Sequence, residues 1–150
     1  PDNVSCINNA AFYECTSLTS IEIPDSVTSI GYDVFQGCTS LKSIVIPNSV
    51  TVIHNDVFQG CTSLTSVIIP DSVTDISYTA FCDCESLTSV IMHDSVESIK
   101  EDAFSYCGDK VIINYDGTKA EWKSIYNSKA FTNTYFTVNC IDGDIVKRKR

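Results

Sequence analysis

Residues 24 to 46 read PDSVTSIGYDVFQGCTSLKSIVI, and residues 47 to 69 repeat them almost letter for letter as PNSVTVIHNDVFQGCTSLTSVII. Two further copies follow, PDSVTDISYTAFCDCESLTSVIM (70 to 92) and the decayed HDSVESIKEDAFSYCGDKVIINY (93 to 115), and residues 1 to 23 align in front of them as a partial copy. Phe12, Phe35, Phe58, Phe81 and Phe104 therefore recur at one constant interval, the length of the unit from 24 to 46. Cys15, Cys38, Cys61, Cys84 and Cys107 keep the same beat, as do Ile7, Ile30, Ile53, Ile76 and Ile99. A fixed period of this length with apolar residues locked in phase predicts a solenoid, because a unit this short cannot bury its own apolar side and its neighbours must supply the missing surface.

Within a unit the residues divide into three pieces. Leu41, Ile44 and Ile46 have an L-x-x-I-x-I spacing in which Ser43 and Val45 alternate with the apolar pair, as a strand with one buried face requires. The Pro-Asp/Asn-Ser-Val step at 24 to 27, 47 to 50 and 70 to 73 is turn chemistry, since proline presets φ and the Asx or Ser side chain bonds nearby backbone groups. Ile30, Val34 and Cys38 at i, i+4 and i+8, with Phe35 beside them, predict a short helix with one apolar side.

The 150 residues are 43% hydrophobic, enough for one domain with a real core. The net charge is −9, and four of the ten basic residues are the last four, Lys147 to Arg150. Such an acidic body repels phosphate backbones, which argues against nucleic acid as a partner. The basic tail reads either as a frayed chain end or as a nuclear or anionic-surface signal. No apolar run is long enough to predict membrane insertion, and the sequence shows no signal-peptide pattern. Because Pro1, Val4 and Ile7 fall one period before Pro24, Val27 and Ile30, the chain reads as opening in mid-repeat, a C-terminal piece of something longer.

The sentence A/V-F-x-x-C-T-S-L-x-S-I-x-I-P-x-S-V-T-x-I, readable at 34 to 53 and 57 to 76, resembles the BspA-like leucine-rich repeat of bacterial and protist surface proteins. The resemblance covers roughly 1 to 115, departing in the last copy where Lys110 replaces Leu and His93 replaces Pro. It implies an α/β-type, right-handed leucine-rich repeat solenoid with a parallel strand ladder, short helical turns and a C-terminal cap. It also implies a noncatalytic, extracellular or cell-surface protein associated with adhesion to host or neighbouring-cell macromolecules.

We divide the chain into a solenoid (1–115), a cap (116–146) and the basic tail (147–150). In the cap, Asp116-Gly117 marks a turn, Thr118 and Glu121 form a capping box before Trp122, Ile125 and Tyr126, and 134 to 140 is a strand candidate before a second turn at Asp142-Gly143. Trp122 reads as a lid on the last coil, with sugar stacking as its alternative.

Other constellations have simpler roles. The in-phase cysteines stand within disulfide reach along the stack, but parallel side chains are poor bridge geometry, and buried reduced thiols are expected; Cys82, in the phase of Gln36 and Gln59, is expected to be more exposed. No metal site is expected: Cys82 and Cys84 lack matching histidines, Asp25, Asn48, Asp71 and Asp94 are explained by turn capping, and His54 and His93 read as surface residues. No catalytic residue and no cofactor is predicted, as no phosphate loop, carboxylate pair or nucleophile elbow appears.

The candidate binding face is the outward side of the strands. Glu22, Val45, Ile68, Ile91 and Asn114 form one row and Ser20, Ser43, Ser66, Ser89 and Ile112 the row beside it. Three adjacent branched aliphatics facing solvent mark an interaction patch, for a protein or glycan ligand, unless they merely suit a strand or are covered by a neighbour. The competing function is a spacer that displays other domains. The open N-terminal edge is a candidate for end-to-end self-association.

Overall fold

A computed structural model of the chain describes residues 3–147. Arg148, Lys149 and Arg150 of the predicted basic tail lie outside the described residues. The elements in chain order are β1 (Cys6–Ile7), β2 (Ser29–Ile30), β3 (Val52–Ile53), β4 (Ser66–Ile68), β5 (Asp75–Ile76), β6 (Ser89–Met92), β7 (Ser98–Ile99), β8 (Val111–Tyr115), helix α1 (Lys119–Ile125), a 3-10 turn (Ser128–Phe131), β9 (Phe136–Cys140) and β10 (Gly143–Lys147).

The chain winds as a parallel-strand solenoid, one coil to each sequence repeat. β4, β6, β8 and β9 lie side by side in parallel, with Ser66, Ser89, Ile112 and Thr137 opposite one another along the ladder. β10 then pairs antiparallel with β9 and ends the sheet. A second run of parallel strands, two residues each, joins β3, β5 and β7, and β1 with β2, through the in-phase isoleucines such as Ile53, Ile76 and Ile99.

That second ladder corrects the helix expected through Ile30, Val34 and Cys38. Ile30 is a strand residue opposite Ile7, and the residues after it are turns. The physical reason is a pair of left-handed positions that recurs from coil to coil: Asp33 and Gly37 have φ of 57° and 73°, Asp56 and Gly60 59° and 70°, Thr79 and Asp83 54° and 58°. A right-handed helix cannot pass through such positions. The backbone donors therefore bond to the next coil instead, with the Phe35, Phe58 and Phe81 N–H groups donating to the Val57, Ala80 and Ala103 carbonyls at 2.8, 2.9 and 2.8 Å.

The phenylalanines form one continuous column. Ring centroids from Phe12 through Phe35, Phe58, Phe81 and Phe104 stand 5.4, 5.5, 5.1 and 5.0 Å apart with interplanar angles of 14° or less. Strands repeat at about 4.8 Å, so a side chain locked to one phase must meet its own copy in the next coil. Each coil's interior is thus completed by its neighbours.

The buried thiols run beside this column. Cys38, Cys61, Cys84 and Cys107 donate Sγ–H to the carbonyls of Phe12, Phe35, Phe58 and Phe81, at 3.1 to 3.3 Å. All eight cysteines are free, with Cys6 and Cys15 exposed. Cys82 is buried, against expectation: at its phase Gln36 and Gln59 lie half-buried with their amides bonded to each other, and the shorter cysteine sits below the surface they reach. Burial above all pushes the Cys61 and Cys82 thiols up to about 12, so both are protonated core groups at neutral pH.

Past Tyr115 the sequence period stops but the winding does not. Phe131 stacks on Phe104 at 5.2 Å, and Thr134 takes the cysteine's part by donating its hydroxyl to the Phe104 carbonyl at 2.7 Å. The capping box forms as read, with the Thr118 hydroxyl accepting from the Glu121 N–H and the Glu121 carboxylate accepting from the Thr118 N–H at 2.7 Å. It starts α1, which lays Trp122 on Tyr115, Phe131 and Phe136. Trp122 is 1% exposed, so it has no open face on which a sugar ring could stack. Lys147, read as the first residue of the tail, is instead the last residue of β10, with its ammonium donating to the Phe131 carbonyl at 2.8 Å.

Candidate binding face

Strand alternation sorts the side chains of the long sheet. Val67, Ile69, Val90, Met92 and Ile113 point inward and are at most 2% exposed. Their neighbours point out, as a period of two requires. Register then lines up the outward residues, Ile68 opposite Ile91, Ile91 opposite Asn114, Asn114 opposite Asn139 and Asn139 opposite Asp144.

Val45, Ile68 and Ile91 are 78%, 56% and 39% exposed. At the first-coil end of this row Glu22 is exposed, and at the other end the Asn139 side-chain amide donates to Asn114 Oδ1 at 2.8 Å. The row is therefore apolar in the middle and polar at both ends. Ser20, Ser43 and Ser66 are exposed in the adjacent row and Ser89 is half-buried. Ile112, 39% open and diagonal to Ile91, adds a further exposed aliphatic to that row, which runs on through Thr137 to Val146, 52% exposed, so the decay of the last repeat widens the patch rather than ending it. Lys110, in the leucine phase, is exposed, and Val111 fills the core from the next position.

On the proline-turn side of the stripe two clefts open. The larger, 310 Å³, is lined by Val45, Ile46, Ile68, Pro70, Asp71 and His93 among others. The smaller, 200 Å³, lies between Ile91, His93, Asn114, Asp116 and Asn139. His93 separates them and is not a bare surface residue: its Nδ1 lies 2.6 Å from Asp116 Oδ2, while Asp116 Oδ1 accepts the Asp94 N–H at 2.7 Å. His54 is likewise half-buried, with its ring 4.9 Å from that of Tyr32.

Elsewhere a 450 Å³ hollow lies against the final strands, lined by Lys110, Phe136, Thr137, Val146 and Lys147 among others. Tyr13, Tyr32, Tyr78 and Tyr106 are roughly half-exposed on the turns away from the long sheet; Tyr32 and Tyr78 share a phase but Asn55 stands between them, and Tyr13 and Tyr106 are in other phases, so no continuous tyrosine row forms. Asp25, Asn48, Asp71 and Asp94 are exposed, and among the described residues no group of three or more His, Cys, Asp or Glu converges on a point. The first coil leaves a 350 Å³ apolar hollow lined by Val4, Ile7, Phe12, Ile21 and Ile23 among others. Among the described residues no helix is long and apolar enough to cross a membrane.

Repeated coils of constant length, a parallel ladder and a phenylalanine column define a leucine-rich repeat solenoid. The chain belongs to the BspA type leucine rich repeat family, whose pattern matches residues 1–111 in six copies. It is similar to a leucine rich cell surface protein of Faecalibacterium prausnitzii, with 39% identity and a TM-score of 0.81 over 83% of this chain and 33% of that one. The pneumococcal vaccine antigen PcpA shares the fold at 19% identity and a TM-score of 0.74, covering all of this chain and 40% of that one. A leucine rich repeat protein of T. pallidum matches at 27% identity and a TM-score of 0.53, over 84% of this chain and 73% of that one. The chain thus spans about a third of the Faecalibacterium protein's length. No curated protein matches it.

Proposed function

We propose that this chain is a noncatalytic, protein-binding part of an extracellular, cell-surface repeat protein, and that it binds through the outward face of its long sheet. The observation that carries this reading is the row Val45, Ile68 and Ile91, branched aliphatics held open to solvent in register, with Glu22 at one end and Asn114 at the other. An exposed apolar patch rimmed by polar residues is where burial against a partner gains most, at about 25 cal/mol per Å². The extracellular placement is supported by the name of the Faecalibacterium neighbour, a cell surface protein.

Ile68→Glu places a charge in the middle of the stripe without touching the core. Proteins from a matrix or cell-surface extract that wild-type chain retains on beads should be lost by this variant, whose urea midpoint stays unchanged. Full retention of the same proteins rejects the face. A second reading is favoured by the share of the neighbour spanned, one third: the coils are a spacer within a longer protein. It predicts that the number of coils, not the identity of Ile68, controls the activity of the whole protein.

A further inference from the structure

The larger cleft beside the stripe has a composition that its apolar neighbours do not explain. Its apolar lining includes Val45, Ile46, Ile68 and Pro70, and its polar lining is Asn48, Asp71 and His93. Asp71 is exposed, and among the described residues no side chain or backbone donor bonds its carboxylate, whereas Asp116 in the smaller cleft has both oxygens engaged by His93 and by the Asp94 N–H. No lysine or arginine lines either cleft among the described residues. An aliphatic cleft with a free carboxylate in its lining matches a long cationic side chain, which buries its methylene stem while its head stays hydrated and paired.

Charge and size choose the occupant. The chain carries −9 overall, so a second copy would bring like charge to a face already edged by Asp25, Asp71, Asp94 and Asp116. The apolar stripe is made by Val45, Ile68, Ile91 and Ile112, far fewer residues than the roughly 20 to 30 a side of a standard stable interface, which suits a segment of polypeptide rather than a whole folded surface. Opposite charge on that segment raises its rate of encounter and fixes its register.

We propose that this cleft recognises a lysine or arginine of the partner polypeptide, with the stem against Val45 and Ile68 and the cationic head on Asp71, while apolar residues next to it in the partner rest on Ile68 and Ile91. The proposal rests on the sheet face being the docking surface, and its test separates the two.

A phage-displayed library of random dodecapeptides is selected on immobilised wild-type chain. The selected peptides, made synthetically, are then measured against wild type, Ile68→Glu and Asp71→Asn at low and high salt. Asp71 is an exposed turn residue, so its amide variant should keep the wild-type unfolding midpoint, which is checked by urea denaturation. The expected result is that the peptides lose binding to Ile68→Glu, are enriched in Lys or Arg beside aliphatic residues, and bind Asp71→Asn roughly two- to fivefold more weakly, a loss that shrinks in high salt. Replacing the peptide's cation by norleucine should reproduce the Asp71→Asn loss on wild type and add nothing on the variant.

Peptides that need Ile68 but show no cation preference and no response to Asp71→Asn overturn the inference and leave the docking face standing. Peptides indifferent to Ile68→Glu, or a chain that selects no peptide and binds immobilised glycans instead, overturn both.

Discussion

Replacing Phe58 by alanine should remove one link from a column that runs through the whole solenoid. Phe58 is 0% exposed and its ring is sandwiched between those of Phe35 and Phe81 at 5.5 and 5.1 Å. Phenylalanine-to-alanine changes at fully buried sites cost about 3 to 5 kcal/mol, and each lost aromatic pair contributes roughly 0.5 to 1.5 kcal/mol of that. Phe12 gives the internal comparison, because it is only partly buried and stacks on a single described ring, that of Phe35. Its truncation should cost roughly 1 to 2 kcal/mol, since one coil interface is affected instead of two. Urea unfolding followed by circular dichroism and by Trp122 fluorescence on the same samples measures both. A loss of about 4 kcal/mol corresponds to a melting-temperature fall of roughly 10 °C in a domain of this size. Equal losses for Phe12→Ala and Phe58→Ala, or a loss under about 1 kcal/mol for Phe58→Ala, would refute the shared interior.

Gly60 tests the left-handed turn, for its φ is 70° and a Cβ there would meet Gly37 backbone atoms at an ordinary 3.7 Å. Steric room is therefore not the issue, and Gly60→Ala should cost about 1 kcal/mol from backbone conformation alone, with Gly60→Asn costing less, as urea midpoints would report. The buried thiols predict an alkaline limb. Cys61 is held protonated up to about 12 by burial, so above the ordinary thiol value of 9.0 the unfolded chain loses a proton that the fold retains. Its contribution is complete below that value and declines by about 1.4 kcal/mol per pH unit as pH rises toward 12. Cys61→Ala should accordingly flatten the fall in stability between pH 9 and 10.5, and an unchanged slope would remove Cys61 as a cause.

Phase was the readable part. Phe35, Leu41 and Ile44 announce their burial because a constant repeat length combined with strand alternation leaves one placement for each, and Val45 and Ile68 announce their exposure by the same rule. The turns were not readable as turns, because Ile30, Val34 and Cys38 also satisfy a helical spacing; only Gly37 and Gly60, in phase with Asp83, hinted at a recurrent positive φ. The last winding escaped because Phe131 follows Phe104 at a wider interval than the other phenylalanines keep, and its hydroxyl donor is Thr134 where the other coils use cysteine. The clefts at Asp71 and Asp116 depend on how deep side chains sit beside Pro70 and His93, which spacing does not encode.

Deleting 47 to 69, one whole repeat, joins Ile46 to Pro70 in the phase that Ile69 and Pro70 now have, and should seat Phe35 directly on Phe81. Deleting 47 to 68 instead leaves one residue too many at the junction, so that Ile69 is inserted between Ile46 and Pro70 and the coil from 24 to 46 no longer meets the coil from 70 to 92 in phase. Urea unfolding of the two shortened chains decides the matter: stacked, interchangeable coils predict a clearly higher midpoint for the whole-repeat deletion than for the shorter one, whose single out-of-phase junction separates Phe35 from Phe81. Indistinguishable behaviour of the pair would contradict the account.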